Sequence, residues 1–225
     1  MVNKESNLYT LVFASLITIF CAVLLSFTSF SLKEKQEKNL EVDSKKNILK
    51  AVTLLKDGKE YSQEEILDLY KNSIEEKSVD DNGNFTTKGN KVYIAKKDGK
   101  IISYCIPIEG KGLWSTIYGY MALEKDCNRV KGITFYKHGE TPGLGGEISQ
   151  PWFMKNYIGK EIFNSSGELA SITILKGKVN LQNSESSHQV DGISGATLTC
   201  KGVNKFIKED LTTYKPFFNK IKGGM

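Results

Sequence analysis

The amino-acid sequence predicts an α+β protein, with one N-terminal transmembrane helix followed by a domain in which helices flank an antiparallel β-sheet. Three observations predict this class. An uncharged apolar run near the N-terminus exceeds the ~20 residues that cross a bilayer core as a helix. Strand-like segments with short turns follow one another in the middle of the chain, as in an antiparallel meander. Segments with helical spacing of apolar residues precede and follow them.

The transmembrane helix is predicted at 8–32, after a short N-terminal tail at 1–7. The run from Leu8 to Leu32 has no charged residue. A cleaved signal peptide is the alternative, but its apolar region is normally only ~7–15 residues long. More lysines follow the helix than precede it, so the positive-inside rule alone places the large domain in the cytoplasm. The residues concerned are Lys4 before the helix and Lys33, Lys35, Lys38, Lys45 and Lys46 after it.

A charged linker at 33–46 lacks glycine, so we expect the helix to continue through it. The main domain is then expected over 47–225. Its first segment has helical spacing and is predicted to stop at 56–58. Ser62 and Glu65 match a capping box, which predicts that a second helix begins there.

The predicted meander has two strand pairs. Asp98-Gly99 supplies a hairpin turn within the first pair. The four strand segments are Val92–Ile94, Ile101–Ile108, Ser115–Leu123 and Val130–Tyr136. A turn is expected at 80–84, before the meander.

After the meander we expect a helix that opens at 149–152 and ends at Gly159, and then a strand at 172–175. A last helix is predicted from apolar residues spaced three or four apart. These are Leu198, Val203, Phe206, Ile207 and Leu211.

The stretch 191–199 is the first candidate functional segment, because it combines two glycines, an alanine and three hydroxyls. Ser194 is well placed as a helix N-cap, and a helix N-terminus favours a phosphate. The stretch therefore predicts a phosphate-bearing ligand, either free or bonded to a hydroxyl. A plain helix cap, which needs no ligand, is the alternative. A hydrolase elbow is excluded because Gly195 directly follows Ser194, whereas G-x-S-x-G needs a residue between them.

Two glycine-rich loops are further candidates. Trp114 lies in the loop 110–115, where it is either a packed loop aromatic or a lid over a planar ligand. The loop 138–147 holds four glycines and a proline. It is not a dinucleotide fingerprint, since Ile148 occupies the place of the last glycine. A plain surface loop is the alternative.

Composition excludes other classes of function. The net charge of +5 is spread along the chain without a basic stripe, so we expect no nucleic-acid partner. The cysteines show no metal-ligand spacing, and we expect no metal site. Cys105 and Cys127 are either cross-strand neighbours or, by default, separate buried thiols.

Taken together, five motifs in this order resemble the family of the C subunit of the bacterial sodium-translocating NADH:quinone oxidoreductase. The motifs are 47–49 (NIL), 110–115 (GKGLWS), 130–134 (VKGIT), 138–147 (HGETPGLGGE) and 191–199 (DGISGATLT). The resemblance runs from the membrane helix to the last helix, and it implies the same α+β fold.

The resemblance implies FMN, one per chain, bound covalently by a phosphoester to Thr197 and attached by a separate flavin transferase. Asp191 and the small residues before Thr197 belong to the pattern that the transferase recognises. Thr199 and the neighbouring backbone N–H groups are expected to contact the phosphate. The remaining cofactor contacts are expected from Trp114 and the loop 138–147. The full predicted set is Asp191, Ser194, Gly195, Ala196, Thr197, Thr199, Trp114, Glu140, Thr141, Gly143 and Leu144.

The resemblance further implies an electron relay without catalytic residues or a substrate pocket of its own. Its partners would be the other membrane subunits, which together reduce quinone and transport sodium. The domain would lie on the outer, periplasmic face of the bacterial inner membrane, against the lysine count, because long translocated domains override flanking charge. The alternatives are the G subunit of an Rnf-type electron-transport complex and a membrane-tethered interaction module without cofactor.

Overall fold

A computed structural model describes residues 7–56 and 58–224 of the chain. It divides the chain into two compact units, Met1–Asp43 and Ser44–Met225. Helix α1, Asn7–Ala51, contains the predicted apolar run, and its most apolar window is fully exposed within the structure. Its length and composition are therefore sufficient to cross a membrane. The predicted tail lies outside the described residues except for Asn7, and so does Lys4.

Helix α1 continues through the charged linker as predicted, but it ends at Ala51 rather than at 56–58. Thr53 adopts a left-handed backbone with φ 58°. The N–H of Leu54 donates to the carbonyl of Leu49 (2.9 Å), and the N–H of Thr53 donates to that of Lys50 (3.0 Å). These two bonds form a Schellman motif, which stops the helix. The sequence did not reveal this end because glycine or asparagine usually occupies the left-handed position.

Helix α2, Gln63–Ser73, begins with the predicted capping box. The Glu65 N–H donates to the Ser62 hydroxyl (3.1 Å), and the Ser62 N–H donates to the Glu65 carboxylate (2.8 Å). Both ends of the box are therefore bonded, which confirms the predicted start of this helix.

The main sheet has six antiparallel strands in the order β2-β1-β3-β4-β5-β6. Their bounds are β1 Ile74–Val79, β2 Phe85–Thr86, β3 Asn90–Lys97, β4 Lys100–Lys111, β5 Thr116–Glu124 and β6 Val130–Lys137. The predicted meander is confirmed as β3 to β6, with Asp98 and Gly99 forming the two-residue turn at φ 51° and 73°. Strand β1 was not predicted because its Glu75, Glu76 and Lys77 obscure any apolar alternation.

Helices cover both faces of the sheet. On one face lies α4, Thr197–Gly223. Its buried residues include four of the five apolar residues that predicted it, whereas Leu198 is exposed. On the other face lie α2 and the last turns of α1, where the Thr134 hydroxyl donates to the carbonyl of Asn47 (3.5 Å). The sheet is thus the middle layer of the domain, and its core is shared with α4.

The chain between β6 and α4 is mostly irregular. A 3-10 helix, Gly145–Ser149, precedes α3, Pro151–Lys155. Helix α3 is shorter than predicted, because turns replace the helix before Gly159. Strand β7, Thr173–Ile174, confirms the predicted returning strand, and it pairs in parallel with β8, Gln189–Val190.

The cysteines among the described residues are all free. Cys105 lies opposite Ala122 and Tyr93 in the sheet, and Cys127 lies in the turn between β5 and β6. They are therefore separate buried thiols. Burial raises the pKa of both thiols, which keeps them protonated.

Candidate functional site

The start of α4 differs from the prediction in one respect: Ser194 is not its N-cap. The helix begins at Thr197, and its cap, Ala196, has no side-chain hydrogen bond. Ser194 instead lies in a turn that is closed by the Ala196 N–H, which donates to the carbonyl of Ile193 (3.2 Å). Gly195 has φ 74° in this turn, a value that favours glycine. Ser194 therefore belongs to this turn and not to the cap of α4.

Thr197 is the first residue of α4, and its side chain is exposed. The N–H groups of a first helical turn have no partner within the helix and attract anions. Thr197 also lines a groove of about 690 Å³ together with Ser194 and three lysines, which are Lys176, Lys178 and Lys201. The candidate hydroxyl therefore lies in a basic groove at the positive end of a helix.

Asp191 fixes one wall of this groove. Its carboxylate accepts the N–H of Val179 (2.8 Å), and the N–H of the next residue, Gly192, donates to the carbonyl of Gly177 (2.7 Å). These bonds hold the segment that carries Lys176 and Lys178 beside the turn.

Asn204 fixes the opposite side of the groove. Its side chain accepts the N–H of Ile174 (2.7 Å) and donates to the carbonyl of the same residue (3.0 Å). Strand β7 is thereby attached to α4 through both backbone groups of one residue. Asn204 was not identified from the sequence, because its role depends on a strand 30 residues away.

Glu140 joins the other two candidate segments to α4. Its carboxylate accepts the N–H groups of Leu113 (3.2 Å), Trp114 (3.0 Å) and Ser115 (3.3 Å). It also accepts the hydroxyl of Thr199 at 2.5 Å. The loop 110–115, the loop 138–147 and the first turn of α4 therefore meet at a single carboxylate.

Glu140 is tightly packed and surrounded by hydrogen-bond donors. Burial opposes its ionisation, but the bonds from Thr199 and the three N–H groups outweigh burial and lower its pKa. A side chain at Gly145 would collide with the Thr199 hydroxyl, so this close approach requires glycine. The carboxylate is thus held ionised within the protein.

These contacts change the expected roles of two residues. Glu140 is only 5% exposed and Thr199 only 1%, and their side chains are bonded to each other. They offer almost no surface to a ligand. Their place in the structure is to position the segments around them, rather than to touch a ring or a phosphate.

Exposed apolar side chains surround this junction. Trp114 is 70% exposed, so it is not a packed loop aromatic. Leu144 lies against Gly195, where an added Cβ would be 2.6 Å from a Leu144 methyl carbon. Leu113 and Leu198 are also exposed, as are Thr141 and Gly143 near the tip of the loop 138–147. The three connected segments therefore present apolar surface next to Thr197.

The arrangement suits a ligand with a flat apolar part and a phosphate. Exposed tryptophan and leucine side chains can pack against a planar ring, while lysines and a helix N-terminus favour the phosphate. Within 7–56 and 58–224 no group of three or more histidine, cysteine, aspartate or glutamate side chains could hold a metal ion. Lys201 lies one helical turn after Thr197, so the helix prediction alone could have identified it. Lys176 and Lys178 could not be identified before β7 and β8 were placed.

Comparisons with known proteins agree with a ligand that has a planar ring and a phosphate. Residues 112–212 match the family model of the FMN-binding domain, and this range includes the loop 138–147, the stretch 191–199 and residues 112–115 of the first loop. The chain is 34% identical to the C subunit of the Na(+)-translocating NADH-quinone reductase of Pseudomonas aeruginosa, over 92% of each chain. It is 34% identical to the same subunit of Neisseria meningitidis serogroup B, over 98% of this chain and 96% of the relative.

A solved structure shows the same fold. The crystal structure of the C subunit of this reductase from Parabacteroides distasonis superimposes with a TM-score of 0.73 at 32% identity. It covers 83% of this chain, and 96% of the solved chain is matched.

Proposed function

Because the chain belongs to the family of the C subunit of the Na(+)-translocating NADH-quinone reductase, we propose that its FMN is bound covalently to Thr197 through a phosphoester. The chain is an electron-carrying subunit of this reductase, and FMN is its cofactor. An interaction module without cofactor is thereby set aside, and so is an Rnf-type subunit, since the relatives above are reductase subunits.

The observation that carries the proposal is the contrast between the hydroxyls around the start of α4. Thr197 is exposed in a groove lined by lysines, whereas Thr199 is buried and bonded to Glu140. Ser194 is exposed too, but it precedes the helix, in the turn closed by Ala196. Thr197 alone of the three combines access with the first position of the helix.

The surrounding residues fit the cofactor. Lys176, Lys178 and Lys201 and the first-turn N–H groups would balance the phosphate charge. Trp114 and Leu144 would pack against the isoalloxazine ring, with Thr141 and Gly143 near its edge. FMN supplies reversible electron transfer when bound, and the protein has only to place it and adjust its electrostatic surroundings. Glu140 would do this indirectly, by holding the two loops and α4 together.

Covalent attachment requires that a flavin transferase reach Thr197. The site is open to such a partner, because Ser194, Gly195 and Thr197 are all exposed. Gly195 and the buried Ala196 leave no bulky side chain before the acceptor hydroxyl. In this proposal Asp191 contributes by shaping the groove as well as by being recognised.

The chain is anchored in the membrane by the apolar part of α1. We further propose that the domain lies on the periplasmic face, and that its electron transfer is coupled in the complex to sodium transport. Protease added to intact spheroplasts should then digest the domain. Digestion only in inverted vesicles would place the domain in the cytoplasm, as the lysine count indicates.

The attachment is tested by three single variants expressed with the transferase. Thr197→Ala should give a protein that loses all flavin fluorescence on a denaturing gel. Thr197→Ser keeps a hydroxyl at this position and should retain part of the flavin fluorescence. Ser194→Ala is the matched control, because it removes a nearby exposed hydroxyl and should stay fluorescent. If Thr197→Ala kept the fluorescence and Ser194→Ala lost it, the FMN would be attached to Ser194 instead.

A further inference from the structure

A second large groove lies away from the candidate cofactor site. It has a volume of about 860 Å³ and is formed by the end of α1, residues 53–56 and 58–61, strand β6, α3 and Ile158. Its lining includes the apolar side chains of Ile133, Met154 and Ile158, and Ile158 is 52% exposed. None of the residues proposed to hold FMN lines it.

The rim of this groove is strongly basic. Five lysines line it, and among its described lining residues Glu60 is the one acidic side chain. The lysines are Lys46, Lys50, Lys56, Lys59 and Lys155. Lys59 and Lys155 are partly engaged, since Lys59 contacts Glu65 at 3.5 Å and Lys155 also interacts within the protein. The groove therefore favours an occupant that is negatively charged around an apolar centre.

The distribution of the lysines indicates the kind of occupant. They come from three separate elements, so the positive charge is spread around the opening rather than gathered at one point. No arginine, with its fork of donors for one phosphate, is present among the described lining residues. Spread lysine charges match several carboxylates along a polypeptide better than they match a single small anion.

We propose that this groove docks an acidic, partly apolar segment of a neighbouring subunit of the reductase. The inference goes beyond the attachment of FMN and does not depend on Thr197. Aspartate and glutamate side chains of this segment face the lysine rim, and its apolar side chains pack against Ile133, Met154 and Ile158.

Helix α3 connects the docking groove to the cofactor loop. Met154 and Lys155 line the groove, whereas Trp152 donates its indole N–H to the carboxylate of Glu147 (3.1 Å), at the end of the loop 138–147. A subunit bound in the groove would therefore contact the helix that supports this loop. Docking there would fix the orientation of the electron-carrying domain against its partner.

The direct test is carbodiimide cross-linking of the intact, purified complex, because this reagent joins lysine amines to carboxylates in contact. Peptide mapping should find Lys46, Lys50 or Lys56 joined to aspartate or glutamate of another subunit. Lys97 and Lys100, which are exposed on either side of the β3–β4 turn, are the matched controls and should give no such product. Cross-links from the control lysines alone, or none between the groove and another polypeptide, would overturn the proposal.

Charge reversal gives an independent measurement on the full chain. Lys50→Glu with Lys56→Glu should reduce the complex recovered at moderate salt by about tenfold, because rim charges govern association and its salt dependence. The variant should retain covalent flavin, which distinguishes a docking defect from failure of the FMN proposal. Lys97→Glu with Lys100→Glu should assemble normally. Equal recovery of both double variants, or recovery unaffected by salt, would contradict docking by an acidic segment.

Discussion

Two parts of the candidate site are built in opposite ways. Around Glu140, one buried carboxylate accepts three N–H groups and a hydroxyl and thereby joins two loops to α4. Around Thr197, the helix starts without a side-chain cap, and the hydroxyl is exposed in a groove. The first part is closed and bonded within the protein, and the second is open.

The difference follows from what each part has to do. In the proposed attachment a transferase has to reach the acceptor hydroxyl, so this hydroxyl has to stay accessible. Its position must nevertheless be reproducible, because electron transfer depends on where the flavin is placed. Glu140 fixes the position of this helix start through its bond to Thr199, two residues after Thr197. Variants that disturb one part and spare the other can separate these two roles.

The largest effect on stability is expected for Glu140→Gln. The amide nitrogen would face N–H groups that now donate to a carboxylate oxygen, and leaving such buried donors unpaired should cost about 2–4 kcal/mol. Thermal unfolding should show a clear fall in Tm, and the flavin should remain attached but become more mobile in fluorescence anisotropy. Glu147→Gln is the matched control, since its carboxylate receives only an exposed indole N–H. A Tm equal to that of the control would mean that Glu140 does not join the loops.

The pH dependence of Glu140 has a definite sign. Because the folded state lowers its pKa, its contribution to stability is present above the ordinary pKa near 4.5 and is lost as the pH falls. Glu140→Gln should remove this part of the acid sensitivity. The gap in Tm between parent and variant should therefore narrow as the pH is lowered from 6 toward ~3.

A smaller and opposite effect is expected at Asp210, a carboxylate on α4. Burial, together with the nearby Glu109 and Glu209 carboxylates, raises its pKa to about 6, although the Glu109 N–H donates to it at 2.9 Å. The folded state therefore binds this proton more tightly than the unfolded state, and stability falls as the pH rises from about 4 through 6. Because solvent partly screens this carboxylate, Asp210→Asn should raise the stability at pH 7 by only about 1–2 kcal/mol. A loss of stability in Asp210→Asn would contradict the assignment.

The smallest effect is expected for Gly195→Ala. An alanine with positive φ costs about 1 kcal/mol, and its Cβ would press on the Leu144 methyl group. Tm should fall slightly, while the fraction of protein that carries flavin should fall more, because the turn sets the approach to Thr197. Adding Leu144→Ala should relieve the contact but not the backbone strain. Full recovery of flavin and Tm in the double variant would show that the left-handed conformation is unimportant.

Local patterns predicted much of the fold and the segments of the site. The capping box at Ser62, the Asp98-Gly99 turn and the strands of the meander depend on neighbours in sequence, and all are confirmed. The three candidate segments were also identified, and the structure brings them together. What the sequence did not predict depends on distant partners. Thr53 ends α1 in a conformation unusual for threonine, and Glu140 proved to be a buried junction rather than a surface contact.

The most direct test of the central claim uses the tryptic peptide 179–201 from the parent protein, isolated from a host that has the transferase. This peptide has no internal lysine or arginine, and it contains Ser194, Thr197 and Thr199 as well as three serines at 184–187. We predict a mass increase of one FMN less one water, with fragment ions that place it on Thr197. An unmodified peptide, or a modification on any other hydroxyl, would contradict the proposed attachment.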